Sequence, residues 1–328
     1  MGGDHAPGPI VDGALAAVRY SGVAVTLVGR SDAIGAELRR HPDASALDVM
    51  VVDAPDVVTM DEAPASVLRK KPRASIRVAA ELVRDGAAAA VVSAGHTGAA
   101  VVAAHATFGM LKGVDRPALA PAIPTRTGMA VLIDAGATVE CKPAYLLQFG
   151  VMGAVYAQTL LGVAAPRVGL LSIGEEEGKG NDLTKEAYRL LKAAPLTFVG
   201  NVEARDVFSG KADVIVCDGF TGNVVLKLSE GLVEMVEEQL GAELSSTFSS
   251  QVGYLLSRRA YRRFRKRVDY SEYGGAPLLG VSGLVLVCHG RSSPKAIRNA
   301  VVAASRFVAD SVLSAIERRV ATVMVAPR

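Results

Sequence analysis

The chain contains 328 residues, of which 50% are hydrophobic and 21% are charged, and its formal net charge is +3. These proportions are typical of a globular protein and exclude an intrinsically disordered chain. The cysteines, Cys141, Cys217 and Cys288, are widely spaced and lack a C-x-x-C motif, which predicts reduced thiols in a cytoplasmic protein and argues against structural zinc.

The chain opens with the loop Gly2-Gly3-Asp4-His5-Ala6-Pro7, and a helix is predicted from about Pro9 to Tyr20. The loop resembles a strand-to-helix turn, yet no strand precedes it. We therefore expect the first strand to be missing from this chain. The alternative is a tail that folds over the edge of the sheet.

Short Val-rich runs alternate with helical stretches along the chain, which predicts a mostly parallel, doubly wound α/β sheet with helices on both faces. The predicted strands lie in the runs that begin at Val23, Asp48, Ala87, Gly128, Arg167, Leu196, Ala212 and Gly283. The uncharged segment from Gly86 to Leu111 is predicted to be a buried strand and helix, because turn residues interrupt it. No change in composition marks a second domain, so residues 1–328 are predicted to form one.

Most of these runs end in a glycine and a polar residue, where sheets of this kind bind ligands. The turns Ser93–Gly98 and Asp218–Asn223 place small residues before a helix, so that N–H groups can face an anion. Asn223 either caps the helix predicted from Val224 to Leu244 or donates to a substrate oxygen. With Asp134 and Glu203 at the same edge, the turns predict one shared phosphate site.

The stretch GEEEGKGN, which begins at Gly174, resembles a phosphate loop between a strand and a helix. Its spacing differs from a Walker A motif, because three residues rather than four precede the Gly-Lys pair and glycine follows the lysine. We interpret Lys179 as a lysine presented on a glycine hinge. His5, His96 and His289 also fall in turns, but their spacing matches no metal-binding motif.

A basic amphipathic helix is predicted from Phe248 to Val268, and seven of the ten residues from Arg258 to Arg267 are basic. Its apolar residues include Phe248, Val252 and Leu255. Such a helix suits an anionic membrane surface or an acidic protein partner. A solvated helix edge or a dimer contact stays open, and no nucleic-acid motif accompanies the patch.

Assembled in order, these stretches resemble the bacterial phosphate acyltransferases, which convert acyl-acyl-carrier protein and inorganic phosphate to acyl phosphate for phospholipid synthesis. The matching stretches are MGGDHAP at Met1, SAGHTGA at Ser93, DRPALAP at Asp115, GKGNDLTK at Gly178, GNVEARD at Gly200, DGFTGNVVLK at Asp218 and YGGAPLLG at Tyr273. The chain departs from the family in two places: the family normally has a strand before its GGDHAP loop, and His96 stands where Asn is more usual.

The resemblance implies a homodimeric α/β fold related to phosphotransacetylases and to the isocitrate-dehydrogenase group, with no metal or nucleotide cofactor. It implies a cytoplasmic enzyme attached peripherally to the inner face of the cell membrane through projecting helices, here residues 228–270. Its partners would be acyl-acyl-carrier protein, inorganic phosphate and a downstream glycerol-phosphate acyltransferase. Two other functions stay open: a phosphotransacetylase-like enzyme that uses acyl-CoA, and a non-catalytic, membrane-associated scaffold for lipid enzymes.

The resemblance also implies roles for individual residues. Lys179 would hold phosphate or the thioester oxygen, and Asn223 would orient the phosphate or hold the oxyanion. The implied substrate- and phosphate-binding residues are Gly2, Gly3, Asp4, His5, Ser93, Gly95, His96, Thr97, Gly98, Asp134, Asn181, Glu203, Thr221 and Gly222. The implied membrane or carrier-protein surface comprises Leu255, Leu256, Arg258, Arg259, Arg262, Arg263, Phe264, Arg265, Lys266 and Arg267.

Overall fold

The computed structural model describes residues 1–268 and 274–325, in which helices and strands alternate along most of the chain. The strands are β1 (Val25–Gly29), β2 (Val49–Asp53), β3 (Ala90–Ser93), β4 (Ala118–Leu119), β5 (Ala122–Pro124), β6 (Met129–Ile133), β7 (Arg167–Leu171), β8 (Thr197–Val202), β9 (Val214–Val216), β10 (Ala276–Leu279) and β11 (Leu284–Val287).

The first helix precedes the first described strand, and the other helices follow strands or one another along the chain. The helices are α1 (Gly8–Ser21), α2 (Ser31–Leu38), α3 (Ser66–Arg69), α4 (Ser75–Arg84), α5 (Thr97–Phe108), α6 (Pro143–Leu160), α7 (Asp182–Ala193), α8 (Gly219–Ser246), α9 (Phe248–Val268), α10 (Pro294–Ala309) and α11 (Val312–Val325). Short 3-10 turns occur at Ala44–Ala46 and Ala204–Asp206.

Every predicted Val-rich run contains a strand, and the α/β class is confirmed. The single doubly wound sheet is wrong, because the described residues form three sheets: β1-β2, β3-β11-β10-β4 and β5-β6-β9-β7-β8. Pairing is antiparallel at β10-β11, β10-β4 and β5-β6, and parallel elsewhere. The sequence analysis missed β4, β5 and β10 because two to four residues are too few to show a strand period.

The chain passes from the four-stranded to the five-stranded sheet between β4 and β5. Ala120 donates to the Pro277 carbonyl of the first sheet at 3.0 Å, and the Pro121 carbonyl accepts from Leu132 of the second at 3.0 Å. Proline has no N–H to continue a ladder. The seam between the sheets therefore lies at Pro121, and the loops on either side of it face each other.

The core is aliphatic and is centred on α6. Leu146, Phe149 and Met152 are fully buried against the five-stranded sheet and α11. Burying a side chain of this size contributes about 1.5–3 kcal/mol. This core holds the strand ends of the five-stranded sheet in fixed positions.

The opening residues Met1–Pro7 form a loop before α1, and no strand lies within them. A cavity of about 520 Å³ separates β1 from β3 and is lined by residues 23–28 and 87–96, together with Met1 and Gly2. Because consecutive residues of each strand line it, both backbones face the cavity. A strand ahead of Gly2 stays a prediction.

Helices α8 and α9 pack against each other as an antiparallel pair, which we call the hairpin (residues 228–268). The predicted segment 228–270 extends to residues 269–270, and these, like Tyr273 of YGGAPLLG, lie outside the described residues. Within the described residues no single helix is long and apolar enough to cross a membrane. Helices α10 and α11, with a bend of 54° between them, reach the necessary length and apolar composition only as a pair.

Candidate functional site

A cleft of about 290 Å³ lies at the seam between the four-stranded and five-stranded sheets. Loops that follow β3, β6, β9 and β11 line it, so it lies at the carboxyl ends of parallel strands, as predicted. Its polar and charged lining residues are Thr97, Asn223, Lys227, Glu230, His289 and Ser292.

The N-terminal ends of three helices meet at this cleft: α5 at Thr97, α8 at Gly219 and α10 at Ser292 and Ala296. Each helix is capped by the residue before it. His96 Nδ1 accepts from Ala99, Asp218 Oδ1 from Thr221 and Ser293 Oγ from Ala296, at 3.2, 2.9 and 3.2 Å. Helix N-termini carry partial positive charge and first-turn N–H groups, so three of them together favour an anion such as phosphate.

Asp134 organises the loop that forms one wall of the cleft. Its side chain is fully buried, and its carboxylate accepts backbone N–H bonds from Leu119, Gly136, Ala137 and Thr138 at 2.6–3.0 Å. Burial raises the pKa of Asp134 to about 6, while these N–H donors act in the opposite direction. All of these partners are N–H donors, so the ionised carboxylate is the form that the loop binds. Asp134 shapes the loop and does not itself line the cleft.

Helix α8 approaches this loop so closely that its first turn requires glycine. A Cβ atom on Gly219 would lie 2.5 Å from Asp134 Oδ2, and one on Gly222 would overlap the Asp134 carbonyl. The helix begins five residues before the predicted Val224, and Asp218 rather than Asn223 is its cap. Asn223 therefore lies within the first turns, exposed to the cleft beside Gly136.

The opening loop lies behind the cleft. Gly2 and Gly3 pack against the backbone of Ala94 and Gly95, and Asp4 donates from its N–H to the Gly290 carbonyl at 3.0 Å. The loop thus braces the turns after β3 and β11. The Asp4 and His5 side chains are exposed and do not line the cleft.

The turn after β3 divides between the cleft and the larger cavity. Thr97 and Gly98 line the cleft, whereas Ser93, Gly95 and His96 line the cavity. His96 contacts the polypeptide through both ring nitrogens, because Nδ1 accepts from Ala99 and Nε2 lies 3.0 Å from the Glu62 carbonyl. Thr221 similarly donates its hydroxyl to Asp218 at 2.7 Å.

Lys179 lies at the same sheet edge as the cleft but does not line it. Its loop follows β7, the neighbour of β9, and its side chain is exposed. Asn201 is buried and holds the loop by donating to the Glu176 carbonyl at 2.8 Å. Asn181 caps α7 by accepting from Thr184 at 2.9 Å, and Glu203 pairs with Arg205 at 2.8 Å. The catalytic role of Lys179 stays a prediction.

Several cleft residues were not predicted as site residues. Lys227 is one turn beyond Asn223 on α8, and its Nζ is 2.8 Å from Glu230. Its position as the last residue of DGFTGNVVLK was the available signal, since residues four apart share a helix face. His289 had been considered only as a metal ligand, and Ser292 follows it in the same turn.

The predicted membrane or carrier-protein surface is exposed on α9. Leu255, Leu256 and Phe264 are 67, 83 and 46% exposed, and Arg265 pairs with Glu237 of α8 at 3.3 Å. Leu228 and other apolar side chains of α8 are also exposed. An apolar side beside a cluster of arginines fits a surface that is both apolar and anionic.

Comparisons with known proteins agree on one family. The family described as fatty acid synthesis protein matches residues 1–315. A phosphate acyltransferase from Geobacter sp. (strain M21) is 52% identical over 321 residues, which cover 98% of this chain and 90% of the relative. One from Nitratidesulfovibrio vulgaris (strain DP4) is 53% identical over 309 residues, 94% and 89% of the two chains.

Among solved structures, a phosphotransacetylase from Streptococcus pyogenes has a similar fold. The TM-score is 0.60 at 17% identity, and the match covers 91% of each chain. This likeness confirms the predicted relation to the phosphotransacetylase fold.

Proposed function

The chain belongs to the fatty acid synthesis protein family and is a phosphate acyltransferase, and from that premise we propose that it transfers a long-chain acyl group from acyl-acyl-carrier protein to inorganic phosphate. The observation that carries this proposal is the cleft at which three helix N-termini meet. It offers oriented N–H donors to an anion without requiring a metal ligand set or a nucleotide loop.

The reaction requires positioning rather than an enzymic nucleophile, because phosphate is already anionic at neutral pH. A phosphate oxygen attacks the thioester carbonyl carbon, and negative charge develops on the carbonyl oxygen. Collapse of this intermediate breaks the C–S bond, so that acyl phosphate forms and the carrier's thiolate leaves. Asn223 lies beside Gly136 at the cleft, and we propose that it orients phosphate or stabilises the oxyanion.

Lys179 is proposed to act from the neighbouring strand end. It is exposed on a loop with Gly174 and Gly180, and an ammonium there offers a compact cation with three donors. Two of the three adjoining glutamates are paired with other residues, Glu175 with Lys211 and Glu177 with Lys192, both at 2.8 Å. Their pairing reduces the repulsion that an incoming anion would meet.

The hairpin is proposed to attach a cytoplasmic enzyme peripherally to the inner face of the cell membrane. Exposed Leu255 and Leu256 next to the arginines of α9 support this proposal. An acidic carrier protein is the competing ligand of the same patch. We further propose that the protein forms a homodimer and passes acyl phosphate to a glycerol-phosphate acyltransferase.

Phosphate-dependent release of carrier thiol from palmitoyl-carrier protein tests the reaction, with hydroxylamine trapping of the acyl phosphate. We expect turnover by the wild type and a loss of about 100-fold or more in Asn223→Ala, because removing one such donor costs roughly 3–4 kcal/mol. Lys179→Ala should show a similar loss, and Lys185→Ala, an exposed lysine of α7, is the matched control.

Two outcomes discriminate between the functions, and a third tests the role of Lys179. Wild type that is inactive with both palmitoyl-carrier protein and palmitoyl-CoA would support the scaffold. Faster turnover of acyl-CoA would support the phosphotransacetylase-like enzyme. Full activity in Lys179→Ala would retain the reaction and remove the role proposed for that lysine.

A further inference from the structure

We propose that His289 is a further catalytic residue of this cleft, a neutral imidazole whose Nε2–H donates a hydrogen bond to the bound phosphate. The inference rests on the proposed function, since it concerns the phosphate that the acyltransferase reaction consumes. His289 follows a strand of the four-stranded sheet, and Asn223 follows a strand of the five-stranded sheet. The two residues would thus supply side-chain donors to the phosphate from opposite sides of the seam.

The position of His289 in the fold brings its side chain to the cleft. It comes two residues after the end of β11, and β11 is the parallel neighbour of β3. Its turn leads into α10, so the residue lies between the N-terminal ends of α5 and α10. His289 is half-buried and lines the same cleft as Asn223, Thr97 and Ser292.

The hydrogen bonding of the ring fixes its tautomer. The backbone N–H of Arg291 donates to His289 Nδ1 at 3.2 Å. A nitrogen that accepts this bond carries no proton, so the proton of the neutral ring is on Nε2. No residue in the described parts of the chain hydrogen-bonds to Nε2. The ring therefore keeps one N–H donor available for a ligand.

Burial, together with the surrounding charges, favours the neutral form of the ring at pH 7. Burial lowers the pKa of His289 below its usual range, and the positive charges of Lys227 and Arg291 act in the same direction. Glu230 and Asp4 act in the opposite direction but more weakly in sum. These are the charged groups that face the ring from α8, from its own turn and from the opening loop.

A comparison with His96 shows why His289, and not His96, has an Nε2–H group available to a ligand. The two residues occupy corresponding turns after adjacent parallel strands, and in both rings Nδ1 accepts a backbone N–H. In His96, however, Nε2 is 3.0 Å from the Glu62 carbonyl and is thus used within the protein. Only the His289 ring combines a fixed tautomer with a place in the cleft.

An Nε2–H donor has a definite task in this reaction. It binds a phosphate oxygen that does not attack, and so holds the attacking oxygen towards the thioester carbonyl. No proton is transferred, because the neutral donor and the anionic acceptor are already in their reacting forms. Loss of one oriented donor of this kind typically lowers turnover by about 100- to 1,000-fold.

The test replaces His289 with each of two amide residues. Together they distinguish the contact between Nε2–H and phosphate from a purely structural role of the side chain. His289→Asn retains an acceptor near the Nδ1 position for the Arg291 N–H but has no group that reaches the Nε2 position. His289→Gln has an amide N–H at about the Nε2 distance. His105→Asn, on the exposed last turn of α5, is the matched control.

With palmitoyl-carrier protein as the acyl donor, we expect kcat/KM for phosphate to fall about 100-fold in His289→Asn. His289→Gln should recover to within about 10-fold of the wild type, and KM for the carrier protein should change by less than about 3-fold in either variant. Circular dichroism and the melting temperature should match the wild type.

The inference is overturned if His289→Asn keeps kcat/KM for phosphate within about 3-fold of the wild type, or if Asn and Gln reduce it equally while the fold is intact. The proposed function is tested separately by the wild-type control in the same assay. An active wild type with an active His289→Asn variant leaves the acyltransferase standing and removes only this residue.

Discussion

The first turn of α8 packs on the Asp134 loop and forms with it what we call the cleft wall, and the same helix continues into the hairpin, where the packing is much looser. At its start α8 is packed so tightly that Gly222 is buried against the Asp134 loop, whereas Leu228 and Leu256, farther out in the hairpin, are 71 and 83% exposed. The first region uses backbone hydrogen bonds to fix donors, and the second leaves apolar and basic groups for an external surface. The difference separates a region built for positioning from one built for attachment.

The largest loss of turnover and stability is expected when a methyl group is added at Gly222, in the first turn of α8. In Gly222→Ala the Cβ atom would overlap the Asp134 carbonyl and lie 2.8 Å from Cys217 Sγ, so the helix must shift away from the cleft. We expect turnover to fall more than about 1,000-fold and the free energy of unfolding to fall by about 3 kcal/mol. Turnover and urea unfolding measure the two effects.

The matched control is the same substitution farther along the helix. A Cβ atom on Gly231 meets open space, so Gly231→Ala should leave turnover unchanged and stabilise the helix by about 0.5–1 kcal/mol. Equal turnover in the two variants would break the distinction between a tight cleft wall and an open hairpin.

A second prediction concerns the carboxylate that shapes the wall. In Asp134→Asn the amide nitrogen must face at least two of the backbone N–H groups that the carboxylate now accepts, whichever way the amide is turned. The loss of buried acceptors should lower the free energy of unfolding by about 3 kcal/mol and turnover by at least about 10-fold. The exposed Asp115 carboxylate accepts one side-chain bond, from Gln148 at 2.9 Å, and an amide oxygen can accept it as well, so Asp115→Asn should change both quantities much less.

Thermal unfolding and turnover at pH 7.5, above the Asp134 pKa of about 6, provide this measurement. An Asp134→Asn variant that is as stable as Asp115→Asn would show that the loop does not depend on the carboxylate. The tight packing around α8 would then rest on shape alone.

Membrane binding by the hairpin should depend on its positive charges rather than on tight packing. Replacing both Arg258 and Arg262 with Gln removes two exposed cations of α9, each worth about 1 kcal/mol near an anionic bilayer. Binding to vesicles rich in anionic lipid should weaken about 30-fold at low salt, while turnover of soluble carrier-protein substrate should change less than about 2-fold. Vesicle co-sedimentation and the thiol-release assay measure the two quantities.

The control replaces Lys185 and Arg189 of α7 with Gln, which removes the same charge at the same spacing away from the hairpin. Unchanged vesicle binding in the α9 variant would refute attachment through this patch. A rise in KM for carrier protein, with vesicle binding unchanged, would assign the patch to the carrier protein instead.

The sequence predicted these two regions unequally. The Val-rich runs located the strands, and the basic segment gave the bounds of α9, Phe248–Val268, because both depend on local periodicity. The seam at Pro121 was missed because β4 pairs with the distant β10, which leaves no local pattern. Strands β4, β5 and β10 were missed because each is only two to four residues long. The resemblance to a known family therefore carried more of the function than periodicity did.

The site residues were likewise predicted where they depend on local sequence and missed where they depend on the pairing of distant segments. Thr97, Gly98 and Asn223 reach the cleft from turns that were recognised in the sequence. His289 was not predicted as a cleft residue, because only the parallel pairing of β11 with β3 brings its turn beside Thr97. Lys179 was predicted from its own loop, and the structure places it one strand away from the cleft.

The smallest effect tests whether the hairpin folds independently of the cleft wall. A Cβ atom on Gly253, in α9, meets nothing within 4 Å, so Gly253→Ala should stabilise that helix by about 0.5–1 kcal/mol. If the hairpin opens by itself, hydrogen exchange of α9 amides should slow about 2- to 5-fold, while exchange in the core helix α6 and the turnover stay the same. If exchange slows equally in α6, the hairpin and the core unfold as one cooperative unit, and the hairpin is not an independent region.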